Sequence, residues 1–235
     1  MRVRGTSIFG LGVVFLFIGC ASISVRQIEE AENYRPKKAP DIIYVAPFEV
    51  EKTEFNVDRE GDELVQFKKS TALVLQEALV ERIGKALGSA EALGSKQKLP
   101  KHGWIVIGKF VKVNQGSRAL RAIVGFGAGG TKMETEVFVY DLAQKPPVPF
   151  LAFKTSGGSN AEPGFLIDST NPLSLATGVL GSLGGLAKGI TDDSLRTSRM
   201  ITAQISQFLL KQKWINPEQA TEPKMDGEIG PLLPR

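Results

Sequence analysis

Hydrophobic and polar positions divide the chain into stretches of different period. Ile8 to Ile18 is an unbroken run of apolar and glycine residues, and residues 21–40 are polar and charged, closing on Arg35-Pro36-Lys37-Lys38-Ala39-Pro40. Asp41 to Val50, with Ile42, Ile43, Tyr44, Val45 and Phe48, predicts a mostly apolar strand. After a charged loop, Leu64, Phe67, Thr71, Leu75, Ala78, Leu79, Ile83 and Leu87 recur at three- and four-residue steps, which predicts a helix capped by Asp62 and closed by Gly88. Trp104 to Val113, Met133 to Leu142 and Phe150 to Thr155 predict three more strands, with Glu134 and Glu136 alternating against Met133, Thr135, Val137 and Val139. A glycine-rich segment over 157–190 follows, and then a helix capped by Asp193 or Ser194 with Leu195, Ile201, Ile205, Phe208 and Leu209 on one side. The order β-α-β-β-β-α implies an α+β domain over 41–215, two helices packed on a largely antiparallel sheet. Residues 216–235 carry four prolines from Pro217 onward and are expected to be disordered.

The first nineteen residues change the picture. Arg2 and Arg4 precede the apolar run with no acidic residue among them, and the run is too short for a permanent bilayer span, so residues 1–19 read as a signal peptide. It ends Leu16-Phe17-Ile18-Gly19-Cys20, a small residue directly before the only cysteine of the chain. This arrangement resembles the bacterial lipobox, with Phe17 where leucine is usual, and the alternative is an ordinary signal peptide followed by a chance cysteine. The resemblance implies that Cys20 takes a diacylglycerol as a thioether and, once cleaved, a further acyl chain on its amine; several chains anchor firmly where one does not. Residues 20–40 then read as a lipidated N-terminus and tether. Ala21 stands where lipoproteins retained at the inner membrane tend to carry aspartate, which points to a lipid-anchored protein of the outer membrane facing the periplasm.

With Cys20 used as anchor, no thiol remains for a disulfide, a thiolate metal site or a cysteine nucleophile. Removing Arg2 and Arg4 from 29 basic residues leaves 27 against 25 acidic ones. A surface so near neutrality argues against nucleic acid as a partner.

Few motifs suggest chemistry, and each has a plainer reading. Gly125-Phe126-Gly127-Ala128-Gly129-Gly130 satisfies G-x-G-x-x-G, but the motif holds pyrophosphate only where it opens a helix, and here a strand pattern follows. Gly103 to Lys109 mimics G-x4-G-K without a following Ser or Thr, and strand formers fill its middle. His102, the only histidine, has no nucleophile elbow beside it. Glu134 and Glu136 share one strand face, whereas a paired-carboxylate hydrolase needs acids converging from separate elements. No catalytic residue, metal site or cofactor is expected, and the chain reads as a non-enzyme.

The most distinctive stretch is Gly116-Ser117-Arg118-Ala119-Leu120-Arg121-Ala122-Ile123-Val124-Gly125-Phe126-Gly127-Ala128-Gly129. It resembles the G-S-R-x-x-R-x-x-x-G-F-G-x-G signature of a bacterial lipoprotein family catalogued only as a domain of unknown function. The likeness runs from Tyr44-Val45-Ala46-Pro47-Phe48 through Val139-Tyr140-Asp141 to the last helix, about residues 41 to 213, and implies a family without an activity. Arg118 and Arg121 beside glycines suit an anion or partner site; the plainer reading pairs them with acids such as Asp141.

Thr177, Gly181, Gly185 and Gly189 fall at four-residue intervals, a small-residue face if that stretch is helical. Glycine disfavours a helix standing alone in water, so a flexible connection competes with a self-association element. The leading expectation is a non-enzymatic module that binds an envelope protein or glycan. The alternative is a subunit of an oligomeric envelope or secretion assembly built through residues 177–189.

Overall fold

The structure, a computed structural model, describes residues 22–116, 130–158 and 188–223. The elements in chain order are β1 (Ser22–Glu30), β2 (Ile43–Val45), β3 (Glu54–Asn56), α1 (Gly61–Ala86), β4 (Ala90–Ala92), β5 (Trp104–Asn114), β6 (Lys132–Asp141), β7 (Pro149–Gly158) and α2 (Lys188–Lys211), followed by a 3-10 turn at Pro217–Gln219. The strands join in one sheet ordered β1-β7-β6-β5-β2-β4, with β3 also on β5. β1, β7, β6 and β5 pair antiparallel, while β2, β3 and β4 add parallel pairings. Two helices on a mixed, mostly antiparallel sheet is the α+β class that the hydrophobic pattern implies.

Register explains which residues meet the helices. β5 and β6 pair Val106 with Val139, Gly108 with Val137, Phe110 with Thr135 and Val113 with Met133. Because successive side chains point to opposite faces, these pairs share one side, where Leu151, Phe153 and Val25 join them in the buried core. α1 closes that side with Phe67, Leu75, Leu79 and Ile83, and α2 with Ile201, Ile205, Phe208 and Leu209. At one end of the sheet Trp104 packs against Phe150 at 4.6 Å, Phe208 at 5.9 Å and Trp214 at 6.1 Å, a cluster whose ring contacts add to area burial. Gln76 Nε2 of α1 donates to the carbonyls of Val45 at 2.7 Å and Leu93 at 3.1 Å, tying the helix to the short parallel strands.

Several boundaries differ from the sequence-based expectations. Ser22–Glu30 is a strand of the sheet, not a tether: Ile23 and Val25 are buried, and β7 supplies the pairing partners. A register shift between Arg26 and Glu29, where Gln27 has φ 51°, bends this edge strand, a device that discourages further strand addition. Asp62 lies inside the first turn of α1, and Glu60 is the N-cap; Gly88, at φ 124°, ends the helix as expected. Asp193 and Ser194 are not caps either, because α2 already begins at Lys188 and both residues are buried in its second turn. Leu195 is only half-buried. Residues 216–223 are fixed rather than disordered: Gln207 Nε2 donates to Thr221 O at 3.0 Å, and the Thr221 amide donates to Ser206 Oγ at 3.0 Å.

Candidate functional site

The sheet face opposite the helices carries the densest grouping of ionisable side chains. Strand alternation places Lys109 and Lys112 of β5, Lys132, Glu134 and Glu136 of β6, and Lys154 and Ser156 of β7 on it. Lys109 Nζ lies 2.7 Å from Glu136 Oε2, and Lys154 Nζ lies 3.3 Å from Oε1 of the same carboxylate. Lys132 approaches Glu134 at 2.7 Å, Ser156 Oγ donates to Glu134 at 3.1 Å, and Lys112 pairs with Glu54 of β3 at 2.7 Å. Three neighbouring strands thus form a ladder of alternating sign.

Electrostatics follow from that ladder. Partial burial pushes Glu136 up, but hydrogen bonds and charges from Lys109 and Lys154 outweigh it and hold the carboxyl below its ordinary range. Glu134 is likewise raised by burial and lowered further by Lys132, Ser156 and Arg26. Carboxylates kept ionised in this way do not suit general-acid chemistry, which needs a raised pKa. Toward the end where β6 finishes, the same face turns apolar, where the registers of β2, β5, β6 and β7 bring the half-buried Tyr44, Ile107, Phe138 and Tyr140 together around the buried Ile105 and Ala152. Glu134 and Glu136 therefore do lie on one face, as their spacing implies, with cations on both sides.

A second ionisable group is buried within α2. Asp193 has no exposed surface, and Arg196 Nη1 donates to its Oδ1 at 3.0 Å. Burial, only partly offset by Thr131 and Arg196, pushes its carboxyl up to about 6. Nearby, Thr197 Oγ1 donates to Met133 Sδ at 3.4 Å, which fixes the start of α2 over the start of β6.

Among the residues singled out by sequence, Cys20, Arg118, Arg121, Gly181 and Gly185 lie outside the described residues, and Gly189 stands half-buried in the first turn of α2. Asp141, suggested as an arginine partner, accepts from Tyr34 Oη at 2.8 Å and from the Ala143 amide at 2.9 Å. Of the G-x-G-x-x-G stretch only Gly130 lies among the described residues, two positions before β6. The G-x4-G-K stretch runs within β5, where a Cβ on Gly108 would enter the Phe48 ring. His102 is exposed in the turn before β5. The lysines flanking Glu136 escaped sequence reasoning; the alternation of β5 and β7 hinted at them, but only the register joins them. Among the described residues no helix is long and apolar enough to cross a membrane.

With this geometry in hand, the class is an α+β domain with one face under two helices and the other presenting a charge ladder beside an apolar patch. The chain belongs to the family described as a domain of unknown function (DUF4410), whose match covers residues 43–173. No curated protein matches. Among solved structures, the PelC dodecamer from Paraburkholderia phytofirmans shows 10% identity and a TM-score of 0.37 over 75% of this chain and 96% of that one. A point-substituted form of that dodecamer gives 10% identity and 0.35 over the same shares. Likeness at this distance carries no statement about assembly or activity.

Proposed function

We propose that this chain is a lipid-anchored module of the bacterial cell envelope, facing the periplasm from the outer membrane, that binds an envelope protein or glycan and catalyses no reaction. One observation carries the reading: the only cysteine, Cys20, follows Gly19 at the end of an apolar run of signal-peptide length and charge. Two features of the fold support it. Ile23 and Val25 of β1, three and five residues after that cysteine, are core residues, so an anchor at Cys20 would sit close to the folded domain. On the open face, Glu134 and Glu136 are kept ionised between lysines, next to an apolar patch, which suits recognition.

Cys20→Ser tests the anchor: the variant is expected to retain its leader and to incorporate no labelled palmitate, since a hydroxyl does not form the thioether. Palmitate in the variant refutes the reading. Crosslinking the acylated protein in its native membrane is expected to capture a recurrent foreign partner. A ladder of self-multiples alone would replace this reading with a homo-oligomeric assembly.

A further inference from the structure

We propose that one end of the sheet, marked by Ser22, Asn114, Lys132 and Gly158, is held against the lipid bilayer. The inference rests on Cys20 bearing the lipid and adds an orientation that the anchor alone does not supply.

The topology converges on that end. Ser22, which opens β1, pairs with Gly158, which closes β7. Asn114, which closes β5, pairs with Lys132, which opens β6. The two pairs abut: a Cβ on Gly158 would collide with the Thr131 carbonyl, and Met133 pairs with Gly157. α2 starts at the same end, where Ser194 and Thr197 meet Met133. The opposite end carries Trp104, Asp141 and Phe150, with Tyr34 bonded to Asp141 and the Ala31 amide bonded to Phe150 O.

Distance then decides the orientation. A twenty-residue tether would let the domain stray some 65 Å from its lipid, whereas the two residues from Cys20 to Ser22 span at most about 7 Å. The nine residues of β1 are ~30 Å long, so the end at Asp141 lies about that far from the anchor along the strand.

Because Cys20 is the only cysteine and acylation consumes its thiol, single introduced cysteines can be labelled in the full acylated chain. Asn114→Cys and Lys132→Cys report the near end; Lys101→Cys and Ala143→Cys, at exposed positions, report the far end. Each is labelled with a fluorophore and reconstituted in phosphatidylethanolamine–phosphatidylglycerol vesicles containing headgroup nitroxide lipids. Strong quenching is expected at 114 and 132, with less than about a tenth as much at 101 and 143, given the ~30 Å between the ends. Palmitate labelling of the same samples separates the two claims. Palmitate-bearing protein with equal quenching at both ends, none at either, or more at the far end overturns the orientation and leaves the anchor standing. Protein without palmitate overturns the anchor and the orientation with it.

Discussion

Replacing Asp193 with asparagine should flatten the acid-side pH dependence of stability. The side chain has no exposed surface, and burial raises its carboxyl to about 6 against 3.8 in the open chain. A folded pKa above the unfolded one means that the folded state holds this proton more tightly. The contribution of this group is therefore fully present below about pH 4 and is lost as pH rises through 6. Ionising it in the fold costs on the order of 3 kcal/mol by pH 7.5. Asparagine keeps the shape and an acceptor for Arg196, whose bond to Oδ1 is 3.0 Å, but cannot ionise. The new amide must find its own partners, which shifts stability by about 1–3 kcal/mol at every pH alike. Titrations of the other carboxyls, Glu134 and Glu136 included, cancel when wild type and variant are subtracted. Urea unfolding followed through buried Trp104 at half-unit steps from pH 4 to 8 gives both curves. Their difference should change by about 2–3 kcal/mol in favour of the variant on going from pH 4 to 7.5. Curves that stay parallel within about 0.5 kcal/mol would show that Asp193 titrates normally and refute the argument.

Two further perturbations bear on the fold. Val25 is fully buried on β1, so Val25→Ala should cost about 1–3 kcal/mol in urea unfolding, where a residue in a free tether would cost nothing measurable. Gly108 leaves no room beneath the Phe48 ring, so Gly108→Ala forces that ring aside and should cost about 1–3 kcal/mol; an unchanged midpoint would show that the ring yields freely.

Most of the fold is legible from periodicity, and the exceptions share a cause. β5, β6 and β7 are long enough to show alternation or sustained apolarity, and α1 repeats its apolar residues at helical spacing through Phe67, Leu75, Leu79 and Ile83. β3 and β4 have three residues each, too few to show a period, and form only because β5 and β2 offer partners from elsewhere in the chain. β1 did carry a signal in Ile23-Ser24-Val25, but Arg26, Glu29 and Glu30 follow at once. An edge strand can hold such charges because one of its backbone edges and one of its faces remain wet. The start of α2 was hidden by Asp193 and Ser194, which suit an N-cap but lie buried inside the helix, followed by buried Thr197 and Ser198. The hydroxyls find partners locally or across the core: Ser194 donates to Ile190 O at 3.0 Å, Ser198 to Leu195 O at 2.9 Å, and Thr197 to Met133 Sδ.

The candidate site was half legible for the same reason. Spacing two residues apart puts Glu134 and Glu136 on one strand face, and that follows from β6 alone. What the carboxylates do there depends on residues 27 positions before Glu136 and 18 after it, Lys109 and Lys154, which meet it only through the antiparallel registers of β5 and β7. Without those cations, partial burial would raise Glu136 and make it a plausible proton donor; with them it is held ionised, and the same residue becomes part of a self-neutralising row. A row that neutralises itself attracts neither anions nor cations over long range. In the proposed binding role, selectivity would have to come from the spacing of its charges and from Phe138, Ile107 and Tyr140 beside them, features that a folded partner surface can match at close contact and a small diffusing ion cannot.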